Sequence, residues 1–179
     1  MRKLRVGEKG CDFKLPGVDG KNHSLKEIGA GCKAIVVVFT CNHCPYAKAY
    51  EERLIALQKD YARKQVKVIA INPNDASSYP EDDFERMKVR ATKRGFNFPY
   101  LRDELQLVAK AYGAEYTPEI YLLDGTFILR YNGRIDDNWQ NPKAVKSQDL
   151  RKALDELLAD KAISNPLSHA IGCSVKWKF

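Results

Sequence analysis

Residues 34–46 read A-I-V-V-V-F-T-C-N-H-C-P-Y, an apolar and mostly β-branched run that leads directly into a pair of cysteines. The run from Ala34 to Phe39 is typical of a strand that is buried on both faces of a sheet. After the second cysteine, tyrosines and leucines recur at helical spacing, which predicts a helix that extends to about Tyr61. The two cysteines, Cys41 and Cys44, are therefore expected at the junction between a buried strand and a helix.

The rest of the chain alternates predicted strands with predicted helices. The order predicts an α/β fold in which a central mixed β-sheet is flanked by helices, with a late hairpin that adds antiparallel edge strands. The predicted elements are, in order, a short hairpin within residues 11–25, a buried strand over 66–71, helices over 80–94 and 105–112, a hairpin formed by 120–123 and 127–131, and a last helix over 147–158.

The length and the charge of the chain limit the classes of function. With 179 residues, the chain is expected to form a single domain over 1–179, with an N-terminal hairpin extension in 1–30 and a C-terminal tail in 161–179. No apolar run approaches the ~20 residues that span a bilayer, so no membrane partner is expected. The net charge of +7 comes from basic residues interspersed with acidic ones, so no nucleic-acid partner is expected.

The cysteine count indicates the compartment. There are five cysteines, an odd number, and the basic N-terminus is not followed by the apolar stretch of a signal peptide. This pattern is typical of a reducing cytoplasm and not of a secreted protein with a disulfide framework. We therefore expect a cytoplasmic protein in which one pair of cysteines has a distinct chemical role.

Three interpretations of the Cys41–Cys44 pair were compared. A structural zinc site usually has four ligands from two paired motifs, and this chain has a single C-x-x-C, so no metal is expected. Two inert core cysteines would not explain the polar residues Asn42 and His43 between them. A thiolate at a helix N-terminus has a lowered pKa, and a second cysteine two residues away can resolve a mixed disulfide. We therefore favour a redox pair, with His43 as a source of positive charge beside the thiolate.

A second motif supports the redox interpretation. The chain contains F-T-C-N-H-C-P-Y, A-I-N-P-N-D, T-P-E-I-Y-L-L-D-G and a C-terminal G-C-S-V-K-W-K. On these stretches, it resembles the thioredoxin-fold, peroxiredoxin-like thiol–disulfide oxidoreductases of bacteria, which are TlpA-like members of the AhpC/TSA superfamily with a C-N-H-C motif. The resemblance implies a thioredoxin-like fold, an antioxidant role in cell redox homeostasis, and a cis-proline at Thr117-Pro118 that packs against the dithiol and presents backbone to a bound partner. It implies no cofactor other than the redox-active disulfide Cys41–Cys44.

Two departures from the peroxiredoxin pattern affect the predicted activity. Peroxiredoxins carry P-x-x-x-T-x-x-C, and with Cys44 as the last residue of that pattern, this chain has Val37 and Cys41 where proline and threonine are expected. Arg130 follows D-G-T-F-I-L and is a candidate for the arginine that polarises a hydroperoxide, or else an exposed strand arginine. The missing proline and threonine favour disulfide exchange over peroxide reduction.

The fifth cysteine, Cys173, is open to two interpretations. In the tail, Cys173, Val175, Trp177 and Phe179 alternate along an extended segment, which places them on one face. The alternation favours a packing role for Cys173 over a role as a resolving thiol.

Three hypotheses follow. The first is a thiol–disulfide oxidoreductase that acts on a protein disulfide or a thiol electron donor, with Cys41 as the attacking sulfur by analogy with thioredoxin. The second is a thiol peroxidase that reduces small hydroperoxides through Cys44. The third is a thioredoxin-like adaptor or metal-binding module without catalytic activity. The start of the helix separates the first two: if Pro45 is its first residue, Cys44 lies closest to the free N–H groups.

Overall fold

The computed structural model describes residues 2–178, and the prediction for Phe179 therefore lies outside the described residues. Its elements are, in chain order, β1 (Lys14–Pro16), β2 (Asn22–Ser24), α1 (Leu25–Gly29), β3 (Ala34–Phe39), α2 (Pro45–Tyr61), β4 (Val66–Asn72), α3 (Phe84–Arg94), β5 (Tyr100–Arg102), α4 (Leu107–Tyr112), β6 (Tyr116–Thr117), β7 (Glu119–Asp124), β8 (Leu129–Gly133), α5 (Asp149–Leu158) and β9 (Cys173–Ser174).

The main sheet has five strands in the order β5-β4-β3-β7-β8. The strand β3 pairs in parallel with β4 and antiparallel with β7, and the hairpin partner β8 lies at the edge. The predicted mixed sheet is therefore confirmed. The late hairpin differs from the prediction in one respect: β7 lies inside the sheet, so only β8 is an edge strand.

The central strand β3 is buried on both faces, as its composition predicts. Alternate residues of β3 contribute to two separate apolar clusters, with Val36 and Val38 in one and Val37 and Phe39 in the other. The first cluster includes residues of α2, α3 and α5, and the second includes residues of α1 and α4. Each buried aliphatic side chain of this kind stabilises the fold by ~1.5–3 kcal/mol. The sheet is therefore covered by helices on both faces.

The segment after β4 differs from the predicted single helix over 80–94. Residues Pro80–Asp82 form one 3₁₀ turn, and α3 begins only at Phe84. The Asp83 carboxylate accepts a hydrogen bond of 2.7 Å from the backbone N–H of Arg86 and caps α3. A capping aspartate is favourable at this position because it satisfies an N–H that has no partner within the helix.

Besides the β1–β2 hairpin and the main sheet, the C-terminal tail adds a two-stranded sheet near the carboxyl end of β3. The strands β6 and β9 pair antiparallel, with Thr117 opposite Cys173 and Tyr116 opposite Ser174. Among the described residues, no helix is both long and apolar enough to cross a membrane.

Candidate active site

The two cysteines of the motif lie between the carboxyl end of β3 and the start of α2. The helix begins at Pro45, so Cys44 is its N-cap residue. Proline suits the first helical position because the N–H that it lacks would have no intrahelical partner. Both thiols are buried, since Cys41 is 2% exposed and Cys44 is 0% exposed. The helix therefore has the start at Pro45 that puts Cys44 nearest to its free N–H groups.

A third sulfur is in contact with this pair. The Sγ atoms of Cys44 and Cys173 are 2.7 Å apart, although the two residues are 129 positions apart in the chain. Cys173 is only partly buried and packs against the small cluster formed by Cys41, Cys44 and Ala47. Cys173 therefore packs against other residues, as predicted, but its partners are the candidate redox residues Cys41 and Cys44 and not the main core.

The Thr117-Pro118 motif lies against both cysteines of the pair. The Thr117-Pro118 peptide bond is cis. The Thr117 side-chain Oγ1 is 3.4 Å from Cys41 Sγ, and the Thr117 backbone carbonyl oxygen is 3.2 Å from Cys44 Sγ. The structure thus brings together the two sequence motifs that the resemblance associates with one site.

A buried carboxylate, Asp82, holds the loop between the two cysteines. Asp82 is 0% exposed. It accepts a hydrogen bond of 2.6 Å from the backbone N–H of Asn42, and its second oxygen lies 2.5 Å from His43 Nδ1. The sequence does not point to Asp82, because an aspartate between other acidic residues in Y-P-E-D-D gives no indication of burial.

Amide side chains complete the surroundings of Asp82. Asn72 donates from Nδ2 to one Asp82 oxygen at 3.1 Å, and Asn74 donates from Nδ2 to the other at 3.0 Å. The Tyr100 hydroxyl donates to Asn42 Oδ1 at 2.9 Å. Four donors therefore converge on one buried carboxylate, which is the condition under which a buried charge is tolerated.

The polar side chain of His43 faces this network. Its Nδ1 points to Asp82, and its ring stacks on Tyr79 with the ring centroids 4.9 Å apart. The imidazole thus helps to fix the loop through Asp82, and a ring nitrogen lies within 4.8 Å of the Cys41 sulfur; its role as a positive charge beside the thiolate stays a prediction.

The three sulfurs have very different acidities. Hydrogen bonding from Cys41 lowers the pKa of Cys44 to about 4, and Cys173 and the backbone N–H of Ala47 act in the same direction against the effect of burial. The hydrogen bond to Cys44 raises the pKa of Cys41 far above its usual range, and burial and the Asp82 carboxylate raise it further. Burial, followed by the neighbouring Cys44, raises the pKa of Cys173 to about 11. These directions make Cys44 the most acidic of the three sulfurs.

One group of side chains at this site has the composition of a metal site. Potential ligand atoms of Cys41, His43 and Asp82 all lie within 4.8 Å of one another. These are three donors, whereas a closed structural zinc site has four. The oxygens of Asp82 already accept hydrogen bonds from Asn42, Asn72 and Asn74, so metal binding would require this network to open.

The candidate arginine of the peroxidase hypothesis lies elsewhere. Arg130 donates to Asp124 Oδ2 at 2.6 Å and is exposed. Asp124 is paired with Ala34, the first residue of β3, whereas the cysteines follow the last residue of that strand. Because a six-residue strand is ~20 Å long, Arg130 is at the opposite end of the sheet from the thiols. Of the two interpretations of Arg130, its position therefore favours the exposed strand arginine.

Comparison with known proteins identifies the family. The family model described as the AhpC/TSA family matches residues 6–138. The chain belongs to the AhpC/TSA family. The matched residues include β3, both cysteines of the C-x-x-C pair and the Thr117-Pro118 motif, but they do not include Cys173.

Three similar proteins are described as a putative peroxiredoxin, an uncharacterized protein and a putative thiol:disulfide interchange protein. A putative peroxiredoxin bcp from Helicobacter pylori is 25% identical over 150 residues, which cover 80% of this chain and 93% of that protein. An uncharacterized conserved protein from Geobacillus kaustophilus is 41% identical with a TM-score of 0.92, over 99% of this chain and 94% of the other. A putative thiol:disulfide interchange protein DsbE from Chlorobium tepidum has a TM-score of 0.68 at 20% identity, over 87% and 99% of the two chains. The predicted thioredoxin-like fold is confirmed.

The low pKa of Cys44 in this AhpC/TSA protein has a measurable consequence. We expect the ultraviolet absorbance of one thiolate, taken as the difference between reduced wild type and Cys44→Ser, to disappear with a midpoint near pH 4 as the pH is lowered. Because an unfolded cysteine has a pKa of ~8.5, this thiolate stabilises the folded reduced chain fully above that pH, and the contribution is lost as the pH falls through the folded value. A difference signal that disappears already between pH 8 and 9 would contradict the assigned acidity.

Proposed function

We propose that this protein is a thiol–disulfide oxidoreductase in which the Cys44 thiolate attacks a disulfide of a protein partner and Cys41 resolves the product. The observation that carries the proposal is the position of Cys44 as the N-cap of α2, with its pKa lowered to about 4 beside a protonated Cys41. A thiolate is the nucleophile in disulfide exchange, so the acidic sulfur is the one that attacks. This assignment replaces the expectation, drawn from thioredoxin, that Cys41 attacks.

The reaction consists of two exchange steps. The Cys44 thiolate attacks one sulfur of the partner disulfide, the partner S–S bond breaks, and one partner sulfur leaves as a thiolate that takes up a proton. Cys41 then gives up its proton and attacks Cys44, which releases the second partner sulfur and leaves a Cys41–Cys44 disulfide. The partner gains two electrons and two protons; the protein supplies both electrons and the proton of Cys41, and the solvent supplies the other proton. A thiol electron donor returns the protein to the dithiol.

The acidities of the two thiols suit this order. In the reduced state, the Cys44 thiolate is the largest cause of the raised pKa of Cys41, so Cys41 stays protonated and does not compete as a nucleophile. Once Cys44 is in a mixed disulfide, it carries no charge and that cause is removed. Cys41 therefore becomes more acidic at the step in which it must attack. A reducing cytoplasm, as expected from the cysteine count, would keep the resting pair reduced.

A second candidate function is thiol peroxidase activity through Cys44. The observation in its favour is the same N-cap position, because a sulfur at the start of a helix is also activated toward hydroperoxide, which would oxidise it to a sulfenic acid that Cys41 resolves. The position of Arg130 at the other end of the sheet argues against it, as do Val37 and Cys41 at the positions where the peroxiredoxin pattern has proline and threonine.

A direct comparison of two assays tests the proposed function. We expect the purified wild type to catalyse the reduction of insulin disulfides by a small dithiol, and to consume hydroperoxide only slowly. Cys32→Ser is the matched control, because Cys32 lies before the first residue of β3 and its thiol contacts the Ile28 carbonyl at 3.4 Å, away from the pair. Rapid hydroperoxide turnover without insulin reduction would favour the peroxidase. Inactivity in both assays would favour the adaptor or metal-binding hypothesis.

A further inference from the structure

The C-terminal strand occupies the edge that a partner is expected to use. The resemblance implies that the backbone before Pro118 faces a bound partner, and in this structure β9 is paired with that segment, with Cys173 opposite Thr117. Cys173 Sγ is 2.7 Å from Cys44 Sγ. A disulfide bond is ~2.05 Å long, so only a small movement separates this contact from a bond. Cys173 thus stands where the cysteine of a bound partner would stand.

Hydrogen bonds to neighbouring segments of the chain fix the tail that carries Cys173. The backbone N–H of Lys176 donates to Asn74 Oδ1 at 2.9 Å, and the carbonyl of Lys176 accepts from Gln106 Nε2 at 2.8 Å. The backbone N–H of Val175 donates to the Glu115 carbonyl at 2.9 Å, and the Val175 side chain is buried. These hydrogen bonds fix the position of the tail, and the tail in turn holds Cys173 next to Cys44.

The residue before Cys173 permits this close approach. A Cβ atom placed on Gly172 would lie 2.4 Å from the Thr117 carbonyl oxygen and 2.7 Å from the Thr117 carbonyl carbon. Real Cβ contacts do not occur at such distances, and the obstacle is backbone, which cannot move aside as a side chain can. Any side chain at this position would push the tail away from Thr117, and with it Cys173 away from Cys44.

We propose that Cys173 is a third redox thiol of this site, which exchanges with the Cys41–Cys44 pair so that the oxidised protein also forms a Cys44–Cys173 disulfide. This inference rests on the proposed thiol–disulfide activity. In the exchange, the Cys173 thiolate attacks Cys44 in the Cys41–Cys44 disulfide, the bond to Cys41 breaks, and Cys41 takes up the proton that Cys173 gave up. No electrons enter or leave, so the step needs no outside reagent. Cys173 can also resolve a mixed disulfide on Cys44 in place of Cys41.

The exchange gives the two disulfides different roles. The Cys41–Cys44 disulfide lies within the helix-capping loop and leaves Cys173 free. The Cys44–Cys173 disulfide fixes β9 covalently over the edge of β6 and closes the site to a partner. The oxidised protein therefore exists in two forms. In one, β9 is not covalently bound and a partner can replace it at the edge of β6; in the other, the Cys44–Cys173 disulfide holds β9 in place.

Disulfide mapping in a Cys41→Ser variant tests the proposal. The reduced variant is treated with glutathione disulfide, free thiols are alkylated at acid pH, and the linked peptides are identified by mass spectrometry. We expect Cys44 to be recovered linked to Cys173, and the mixed disulfide of Cys44 with glutathione to be a minor product. Oxidised wild type is expected to yield both the Cys41–Cys44 and the Cys44–Cys173 linkages, which keeps the test valid if a variant folds poorly. Cys44→Ser is expected to yield neither.

A glycine substitution tests the geometry without touching a sulfur. In the Cys41→Ser background, Gly172→Ala is expected to lower the ratio of Cys44–Cys173 linkage to glutathione adduct about tenfold, because it overpacks the contact with Thr117. Ser174→Ala, a change of similar size at an exposed position two residues further along the tail, is expected to leave the ratio unchanged.

Two results would overturn the inference, and they are distinguishable. A glutathione adduct on Cys44 with Cys173 fully alkylated would refute the role of Cys173 and leave the proposed function intact. Full alkylation of Cys44 in the wild type and in Cys41→Ser would refute both, because the sulfur assigned as the nucleophile would then not react with a disulfide.

Discussion

Cys44→Ser is expected to abolish the reduction of insulin disulfides, with a loss of at least about a thousandfold in rate. A serine hydroxyl is not ionised near neutral pH and cannot form a mixed disulfide, so the first exchange step has no nucleophile. Cys41 is not expected to take over, because the Asp82 carboxylate continues to raise its pKa in the variant. The measurement is the initial rate of insulin reduction, with the fold of the variant checked by circular dichroism.

The companion variants separate attack from resolution. Cys41→Ser is expected to lose less activity than Cys44→Ser, since Cys173 remains in contact with Cys44 and can resolve the mixed disulfide. The double variant that lacks both Cys41 and Cys173 is expected to accumulate a stable mixed disulfide on Cys44, visible as an insulin-chain adduct by mass spectrometry. If Cys41→Ser were inactive and Cys44→Ser active, Cys41 would be the attacking sulfur, as the thioredoxin analogy predicts.

The sequence predicts the main sheet because the signals for it are local. The run of residues 34–39 is typical of a strand that is covered on both faces, and the helical spacing after Pro45 continues to Tyr61, where α2 ends. The strands β5, β6 and β9 were not predicted, because each has only two or three residues and exists only through its partner. Such segments carry no periodicity, so the tertiary contacts that create them cannot be read from the chain.

The sequence likewise predicts only part of the candidate site. The C-x-x-C pair and Thr117-Pro118 are short motifs with a recognised arrangement, and the structure has both at one place. The contact of Cys173 with Cys44 depends on how the tail runs over Asn74 and Gln106, which no local pattern reveals. The start of α2 is likewise a tertiary effect: Asp82 holds the Asn42 backbone N–H in the loop, so the helix does not extend back toward Cys41.

Removal of the Asp82 carboxylate is expected to have the largest effect on stability. In Asp82→Ala, the backbone N–H of Asn42 and the side chains of His43, Asn72 and Asn74 lose their acceptor in a site without solvent. Because each buried donor left without a partner costs ~1–3 kcal/mol, we expect the free energy of unfolding of the reduced protein to fall by ~3–5 kcal/mol. Urea denaturation at neutral pH measures this change.

The neighbouring acid provides the control, and the thiols provide a second readout. Asp83→Ala removes a half-exposed carboxylate that caps α3, and is expected to cost only ~1 kcal/mol. Because the Asp82 charge also raises the pKa of Cys41, Asp82→Asn is expected to lower that pKa and so to speed the resolving step relative to the first attack. Equal losses of stability in Asp82→Ala and Asp83→Ala would show that the carboxylate is not the centre that holds the loop between Cys41 and Cys44, since only Asp82 reaches that loop.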